Sequence, residues 1–438
     1  MTEITLSQIL DAREKRVAQQ QAMLRKHQCP LVCFTMNIAG PVKNTPLIQR
    51  GFQAGMALLE EKLPKEVIRE RFVDMADTGN TAMYAVDMDA LQLKCICTGI
   101  EESTSLGRLF DMDVLQTDGA KLERTNLRGC MVCGAPGRGC AAGRVHSVTE
   151  LQNVTNGILQ TYFWEADQKS IATQAVQSLI AEVNTTPKPG LVDRNNNGSH
   201  KDMTLAHFLK SANALGPYFE ECVKIGQETA QTTPEETFRR LRQAGLDAEK
   251  TMFRATDGVN THKGAIFTLG ILCGSLGRLW RAEKPIAPQA DLILQCAKMG
   301  QSALKSDFSG ADGRTFGEQL YLQYGLLGIR GQVAMGLPSI VNIALPKYRE
   351  LINAGLSQND AGAVTLLHLI AQVEDTNLYH RGGAEGAKWA SRSACGLLPL
   401  PSIAEIRQLD AQFIEKNLSP GGCADLLAVT YFLHGLYQ

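Results

Sequence analysis

The sequence predicts a multidomain chain in which an α+β domain over residues 1–165 is followed by an all-α domain over residues 168–438. The length supports this division, because 438 residues are more than one ordinary domain contains. The patterning supports it too, because short strand-like segments give way near residue 165 to long runs with apolar residues at helical spacing. A linker is expected near residues 150–168, where the composition is not that of a flexible segment.

The α+β domain is predicted to begin with a helix and to continue with strands. Leu6, Ile9, Leu10 and Val17 fit one face of the opening helix, with Ser7 as its N-cap. Short apolar segments bounded by polar residues then indicate strands. These segments cover residues 31–36, 67–73, 83–89 and 109–115.

The all-α domain is predicted from apolar faces that recur at helical spacing. Its helices are expected over residues 171–183, 264–281, 361–373 and 423–436. Turns rich in glycine, proline and asparagine separate the helices and carry most of the unusual polar residues. The pattern contains no convincing strand and no internal repeat, so we expect helices alone.

Composition excludes several classes of protein. The net charge is -1 and the pI is near 6.7, so the basic excess typical of nucleic-acid binders is missing. The N-terminus does not resemble a secretory signal, and the most apolar stretch, Ala265–Trp280, is too short to span a membrane. Its glycines are instead expected to let a neighbouring helix approach closely. We therefore expect a cytoplasmic protein with reduced thiols and neither a nucleic-acid nor a membrane partner.

Two aspartates in the last predicted strand of the α+β domain form a candidate metal site. Because side chains alternate along a strand, Asp111 and Asp113 should share one face. Neighbouring carboxylates repel each other unless a cation joins them, and Mg²⁺ prefers carboxylates together with phosphate oxygens. Gly107 and Arg108 could supply a turn near a phosphate and its charge partner. The alternative is a solvated strand edge with a chance pair of aspartates.

Four metal-binding side chains close this domain. Cys130, Cys133, Cys140 and His146 are separated by two, six and five residues, and they match the ligand count of a closed tetrahedral zinc site. The spacing is not that of a standard zinc finger. Reduced cysteines in an irregular loop, or a redox pair, therefore remain alternatives.

Polar turns beside the apolar helices of the second domain form a second candidate site. Backbone N–H groups where a helix begins after His262 would attract phosphate, and Lys263 would add to that attraction. Each turn alone has a structural explanation, such as Asp425 in the first turn of the last helix offsetting its dipole. Several such turns together favour a binding site. The candidate residues are Lys188, Gly190, Asp193, His200, Asn260, His262, Lys263, Asp375, Asn377, Arg381, Gly382, Gly383 and Asp425.

The first domain resembles holo-citrate lyase synthase, the phosphoribosyl-dephospho-CoA transferase that loads the acyl carrier subunit of citrate lyase. The resemblance covers about residues 1–160 and lies in PLVCFTMNIAGPVKN, in SLGRLFDMDVLQTDG and in the cysteine region. It implies a nucleotidyltransferase-like domain in which a carrier serine attacks a phosphate and pyrophosphate leaves. Asp111 and Asp113 would hold Mg²⁺, and Arg108 would bind a phosphate oxygen.

The second domain resembles triphosphoribosyl-dephospho-CoA synthase over about residues 170–438, in EVNTTPKPGLVDR, GVNTHKGAIF, GLLGIRG, DTNLYHRGG and NLSPGGCADLL. The resemblance implies that ATP and 3′-dephospho-CoA react with release of adenine. Asp193, Asp375 and Asp425 would serve as base, stabiliser and Mg²⁺ ligand in no assigned order. The implied triphosphate-binding residues are Lys188, His262, Lys263 and Arg381. The family carries glutamates after the Arg-Gly pair where this chain has Gln332 and Ala334, which puts the activity of this half in question.

The order of the two halves resembles the fused form of these enzymes. Because the product of the second half is the substrate of the first, fusion would raise its local concentration. The expected partners are ATP, 3′-dephospho-CoA and the apo acyl carrier subunit. The alternatives are the equivalent enzymes of malonate decarboxylase and a nucleotide-binding protein without turnover.

Overall fold

The computed structural model describes residues 2–124, 128–135, 137–308, 313 and 316–438. The chain divides into two compact units. Unit 1 comprises residues 1–166 and 282–284, and unit 2 comprises residues 167–281 and 285–438.

Unit 1 combines helices with a small sheet, as an α+β domain should. Its helices are α1 (Leu6–His27), α2 (Pro46–Lys62), α3 (Ala90–Ser103), α4 (Gly137–Gly143) and the first part of α5 (Val148–Asn184). Its strands are β1 (Leu31–Met36), β2 (Ile68–Ala76), β3 (Gly79–Val86) and β4 (Phe110–Leu115). Short 3-10 turns at Lys65–Val67 and Leu106–Leu109 lead into β2 and β4.

The opening helix differs from the prediction in two details. Thr5, not Ser7, is the N-cap, because its side chain accepts the Gln8 N–H in a capping box. Leu6 and Leu10, on the predicted apolar face, are exposed, and the buried residues of α1 lie in its last turns. The helix is therefore anchored at its C-terminal end.

Among the described residues, the strands form one antiparallel sheet in the order β2-β3-β1-β4. β4 lies at the edge and pairs with β1, so that Thr35 is opposite Asp111. Phe110, Met112 and Val114 are fully buried, and α3 packs against β4. Alternation along β4 therefore turns Asp111 and Asp113 away from the core.

The regular elements of unit 2 are all helices in the part that the structure describes, as predicted for the second half. Its helices after α5 are α6 (Leu205–Ala214), α7 (Gly216–Glu228), α8 (Pro234–Ala255), α9 (Lys263–Leu279), α10 (Gln289–Phe308), α11 (Phe316–Tyr324), α12 (Gly328–Ala334), α13 (Leu345–Asn353), α14 (Gln358–Gln372), α15 (Thr376–Cys395), α16 (Ile403–Glu415) and α17 (Gly421–Leu436). A π-helical segment, Ile340–Ala344, precedes α13.

Helix α9 is the central helix of unit 2 and packs against α7, α8, α10 and α17. Its glycines permit close approach, as predicted, because a Cβ at Gly277 would collide with the carbonyl of Val223 in α7. A Cβ at Gly264 would likewise collide with Asp425 of α17. In the described part of the chain, no helix combines the length and the apolar character needed to cross a membrane.

Candidate active sites

The two aspartates of β4 lie on one face of the strand, as predicted. Asp111 borders two cavities of unit 1, one of about 920 Å³ and one of about 810 Å³. Asp113 borders the smaller cavity and pairs with Lys121, whose Nζ lies 2.7 Å from Asp113 Oδ1. The pKa of Asp111 is raised, first by partial removal from water and then by the negative charge of Asp113. A cation between these carboxylates would relieve that repulsion.

An arginine pair shapes the 810 Å³ cavity. Arg108 borders the cavity and donates a hydrogen bond to the Gly129 carbonyl at 2.7 Å. Arg128 donates to the Phe110 carbonyl at 2.7 Å, which ties it to the start of β4. Gly107 has a packing role, since a Cβ there would lie 2.5 Å from the Glu101 carbonyl oxygen.

Glu101 of α3 is a buried carboxylate that the sequence analysis missed. It accepts the Met112 N–H at 2.7 Å and pairs with Arg124 at 3.0 Å and Arg128 at 3.2 Å. Its pKa is raised, chiefly by burial, which its hydrogen bond and cations partly offset. No pattern near Glu101 indicated this role, because its partners are distant in the chain.

The 920 Å³ cavity is bordered by basic side chains from α1 that the sequence analysis also missed. Arg13, Lys15 and Arg16 border it together with Lys43 and Asp111. In the described part of the chain, no ion pair is formed by Arg13 or Arg16. Arginines outside ion pairs, in a cavity that Asp11 and Asp74 also border, suit a polyphosphate that carries a divalent cation.

The cysteine cluster is brought together by the fold. The candidate ligand atoms of Cys130, Cys133, Cys140 and His146 lie within 4.8 Å of one another, and no other such group of three or more occurs among the described residues. Cys133 Sγ lies 3.5 Å from Cys140 Sγ and 3.3 Å from His146 Nε2. The Gly134 N–H bonds to the Cys130 carbonyl at 3.0 Å and closes the turn between the first two cysteines.

Unit 2 contains a cavity of about 1090 Å³ that collects most of its predicted site residues. Those that border it are Lys188, His200, Asn260, His262, Lys263, Asp375, Asn377, Arg381 and Asp425. They come from separate turns of the sequence, and the convergence of helix ends brings them to one cavity.

Asp375 is held at the N-termini of two helices. As the N-cap of α15, its Oδ1 accepts the Asn377 N–H at 2.7 Å and the Leu378 N–H at 3.3 Å. Its Oδ2 accepts the Cys423 N–H in the first turn of α17 at 2.8 Å. Burial raises its pKa, and these hydrogen bonds oppose the rise.

Asp425 is held against the N-terminus of α9, where it accepts the Ala265 N–H. Its pKa is raised well above the ordinary value, first by burial and then by the negative charges of Glu182 and Asp375. The expected position in the first turn of α17 is wrong, because α17 begins at Gly421 and its first turn contains no acidic residue. Gly421 and Gly422, which the sequence pattern assigned to a turn before the helix, are the first two residues of α17.

Glu182 is a further carboxylate of this cavity that the sequence analysis missed. It forms a buried ion pair with Lys188, whose Nζ also donates to the Glu182 carbonyl at 2.9 Å. Burial raises the pKa of Glu182, and Lys188 opposes the rise. One feature of the sequence could have identified it: Glu182 lies three residues after Leu179, so it is a charged residue on the apolar face of α5.

Two of the histidines that border the cavity, His200 and His262, have lowered pKa values. Burial, and secondarily Lys188, lowers the pKa of His262 to about 3, while its Nδ1 lies 2.7 Å from Ser211 Oγ. Burial, and secondarily Arg381, lowers the pKa of His200 to about 4. Arg381 donates to His200 Nδ1 at 3.1 Å. The histidines can therefore offer hydrogen bonds but not positive charge.

The positively charged side chains of this cavity differ in whether a carboxylate pairs with them. Lys263 pairs with Glu249 at 3.0 Å and is more than half exposed. Arg381 donates to the Ser199 carbonyl at 2.9 Å and to Asn417 Oδ1 at 3.0 Å, which leaves its charge without a carboxylate in these contacts.

Four predicted residues do not border the cavity, and each has a structural role. Asp193 accepts hydrogen bonds from Thr186 Oγ1 at 2.7 Å and from three backbone N–H groups of its own loop. Gly190 has a φ of 70°, and a Cβ there would collide with the Leu418 carbonyl. Gly382 packs on the Leu418 side chain, and Gly383, with a φ of 59°, forms the kink in α15.

The two positions that depart from the synthase family pattern have different environments. Gln332 borders the cavity, and its Oε1 accepts the Ser339 N–H at 3.2 Å. Ala334 is buried where α12 packs closely against Gly300 of α10.

Two protein families match this chain. The family described as ATP:dephospho-CoA triphosphoribosyl transferase (CitG) matches residues 168–438, and the one described as apo-citrate lyase phosphoribosyl-dephospho-CoA transferase (CitX) matches residues 4–162. The chain is 35% identical to Protein CitXG of Haemophilus influenzae, over 98% of this chain and 96% of the relative. It is 33% identical to Protein CitXG of Leuconostoc mesenteroides subsp. cremoris, over 98% and 97%.

Proposed function

This chain belongs to the CitXG family, and we propose from that premise that each of its two units catalyses one of two consecutive steps. The protein is a bifunctional transferase of citrate lyase prosthetic-group biosynthesis. The description that matches its first half names citrate lyase, which favours this carrier over that of malonate decarboxylase. Because ATP is a substrate of the first reaction, we also propose a cytoplasmic location.

The first step belongs to unit 2. The 2′-hydroxyl of 3′-dephospho-CoA attacks the anomeric carbon of the ATP ribose, and the bond from that carbon to adenine breaks. The triphosphate stays on the transferred ribose, adenine leaves, and the hydroxyl proton passes to a base. The observation that supports this assignment is a pair of carboxylates, the buried Asp375 and the partly buried Asp425, at helix N-termini beside one cavity of about 1090 Å³.

The hydrogen bonds distinguish the roles of these carboxylates. Both oxygens of Asp375 accept backbone N–H groups, so it is fixed as a negative charge that stabilises the developing oxocarbenium ion. Asp425 accepts one backbone N–H, and its pKa is raised toward the range in which a carboxylate serves as a general base. Asp425 is therefore the proposed base. Asp193 is assigned to holding its loop.

The triphosphate is proposed to lie near the N-terminus of α9. Lys263 and the first N–H groups of that helix supply attraction, and Arg381 supplies a second cation. The negative charges of Glu182 and Asp375 raise the pKa of Asp425, so a Mg²⁺ ion that enters with the triphosphate would be attracted to this side of the cavity. When bound, Mg²⁺ would neutralise triphosphate charge.

The second step belongs to unit 1. The serine hydroxyl of the apo acyl carrier attacks the phosphorus next to the ribose, a serine–phosphate bond forms, and the phosphoanhydride bond breaks. Pyrophosphate leaves, and the serine loses its proton. Asp111 borders both cavities of this unit, so one cavity can hold the nucleotide conjugate while the carrier serine enters from the other.

The phosphate-binding groups of this step are proposed to be Arg13, Arg16 and Arg108. The first two border the 920 Å³ cavity, and Arg108 borders the 810 Å³ cavity. Asp111 and Asp113 would hold Mg²⁺, which supplies charge neutralisation at the reacting phosphate. Carboxylates on the edge strand of an antiparallel sheet are in keeping with a nucleotidyltransferase-like domain.

A structural zinc ion is proposed for Cys130, Cys133, Cys140 and His146. Ligand atoms within 4.8 Å of one another fit a tetrahedral ion with three thiolates and one imidazole. Four protein ligands leave no open coordination position, so the ion would have a structural role.

The direct test is a stepwise assay of the full chain. Protein is incubated with ATP, Mg²⁺ and 3′-dephospho-CoA, and adenine is measured by chromatography. Apo acyl carrier is then added, and its mass is measured. We expect adenine first and a carrier heavier by one phosphoribosyl-dephospho-CoA group afterwards; ATP binding without adenine release would contradict the proposal.

A further inference from the structure

The segment between β4 and the middle of α5 has little hydrophobic core of its own. None of the described residues from 115 to 154 is buried. The regular structure of its described residues consists of isolated bridge residues at Lys121 and Gly129, the short helix α4 and the start of α5. A segment that buries so little apolar surface needs another source of order, and a metal ion can supply it.

This segment nevertheless forms a wall of the transferase cavity. Cys130, Cys140 and His146 border the 810 Å³ cavity together with Arg108 and Asp111. The geometry of the cysteine cluster is therefore linked to the geometry of the proposed phosphate site.

Three consecutive residues provide the link. Arg128 donates to the Phe110 carbonyl at 2.7 Å, at the start of the strand that carries Asp111. The Gly129 carbonyl accepts the Arg108 hydrogen bond at 2.7 Å. Cys130 is the first thiol of the cluster. A Cβ at Gly129 would lie 2.6 Å from the Gly134 carbonyl oxygen, so this backbone is closely packed inside the turn that joins Cys130 to Cys133.

We propose that a zinc ion bound by Cys130, Cys133, Cys140 and His146 positions Arg108 for the transferase reaction. The ion closes the turn, the turn fixes the Gly129 carbonyl, and that carbonyl orients the guanidinium toward the triphosphate. Loss of zinc leaves the carboxylates of β4 in place but releases Arg108. This inference rests on the transferase function proposed for unit 1, and it makes that step zinc-dependent while adenine release is not.

The first experiment measures the metal. Full-length protein purified without chelator should contain about one zinc ion per chain, as expected for one tetrahedral site. Cys133→Ser should lose the ion. Cys95→Ser, which removes an exposed thiol of α3 outside the cluster, should keep it. Absence of zinc from the wild-type protein, or its retention in Cys133→Ser, would overturn the site.

The second experiment measures the two steps separately. Transfer is assayed with preformed triphosphoribosyl-dephospho-CoA and apo carrier, and adenine release with ATP and dephospho-CoA, both with Mg²⁺ in excess. In Cys133→Ser, and in wild-type protein treated with a zinc-selective chelator, transfer should fall by about ten- to a hundredfold, as for lost metal-site support. The loss should appear as a raised KM for the conjugate, and zinc should restore the chelated protein. Adenine release should stay within about twofold.

A double variant tests the positioning role. If zinc acts through Arg108, then Cys133→Ser should add little to the effect of Arg108→Lys, because coupled residues are not additive. Additive losses, unchanged transfer after zinc removal, or an equal loss of adenine release would overturn the proposal. If wild-type protein binds zinc but never loads the carrier, the result contradicts the transferase function and still supports the metal site.

Discussion

The carboxylates of the two units are stabilised in different ways. In unit 1, Asp111 and Asp113 lie on the accessible face of an edge strand, and Lys121 pairs with Asp113 at 2.7 Å. In unit 2, the buried Asp375 and the partly buried Asp425 accept backbone N–H groups at the N-termini of helices. Helix N-termini carry partial positive charge, so they partly offset the cost of removing a carboxylate from water.

The difference suits the two reactions. Unit 1 must admit a serine that belongs to another protein, so its carboxylates lie at an accessible edge. The reaction proposed for unit 2 joins two small substrates through an oxocarbenium-like centre, where removal of water strengthens each electrostatic interaction. In the proposed mechanism, the same residue type therefore serves phosphate transfer at a strand edge and glycosyl transfer in a helical cavity. The following experiments test that contrast in order of decreasing expected effect.

The largest effect is expected for Asp375→Asn. The amide keeps the shape of the side chain but removes the buried negative charge beside the reacting ribose. Adenine release should fall about a hundredfold or more, as for loss of a preorganised electrostatic group. Transfer from preformed conjugate should not change. Equal loss of both steps in a folded variant would contradict the separation of the sites.

Asp111→Asn should produce the reverse pattern, with a loss of similar size. Removing this charge weakens Mg²⁺ at the reacting phosphate, so carrier loading should fall about a hundredfold while adenine release continues. The mass of the carrier and the amount of adenine report the two steps. Normal loading by this variant would eliminate β4 as the catalytic strand.

A smaller effect is expected for Gly264→Ala, which tests the fixed position of Asp425. The added Cβ would collide with Asp425 Oδ2 and displace the proposed base. Adenine release should fall about tenfold or more, because small displacements of catalytic groups are costly. Gly317→Ala is the matched control, because a Cβ there meets nothing within 4 Å. A Gly264→Ala enzyme as active as this control would show that Asp425 is not the base.

The pH dependence should separate the two steps. The pKa of Asp425 lies well above the ordinary value and that of Asp375 is also raised, so protonation begins to neutralise them at a higher pH than it does typical carboxylates. Adenine release should therefore decline first as the pH falls. The pKa of Asp111 is raised as well, but Lys121 opposes the rise. Measuring the rate of each step against pH checks this order. It would be contradicted if the rate of transfer began to fall at a higher pH than the rate of adenine release.

The smallest effect is expected for Gln332→Glu, which restores an acidic residue after the Arg-Gly pair. Gln332 Oε1 already accepts the Ser339 N–H, and a carboxylate can keep that bond. The added charge should lower the Mg²⁺ requirement and raise adenine release by less than about threefold. A much larger gain would mean that this glutamate has a catalytic role and that the natural chain is impaired. Titration of the rate with Mg²⁺ distinguishes these outcomes.

The sequence predicted what depends on local geometry. Alternation along β4 correctly predicted that Asp111 and Asp113 share one face of the strand. The residues between and beside them, Phe110, Met112 and Val114, point into the core. Short strand-like segments predicted the α+β character of the first half, and helical periodicity predicted the all-α character of the second. The spacing of the cysteine cluster anticipated a group whose ligand atoms lie within 4.8 Å of one another.

What the sequence did not predict depends on tertiary packing. Glu101 of α3 forms an ion pair with Arg128, which follows β4 in the chain, and no local pattern around either residue predicts this contact. Nothing in the sequence around Arg13 and Arg16 indicated that they border a cavity. Asp193 resembles Asp375 and Asp425 in its setting, but its oxygens are taken up by its own loop. What separates Asp193 from Asp375, whose oxygens also accept backbone N–H groups, is that Asp193 does not border the cavity, and this depends on tertiary packing.

Mixing the Asp111→Asn and Asp375→Asn proteins tests the central claim most directly. Each variant lacks one step, and the intermediate can diffuse from one protein to the other. With ATP, Mg²⁺, 3′-dephospho-CoA and apo carrier, neither variant alone should load the carrier, and the mixture should load it. If the mixture also fails while both proteins are folded, the two units do not catalyse independent consecutive steps.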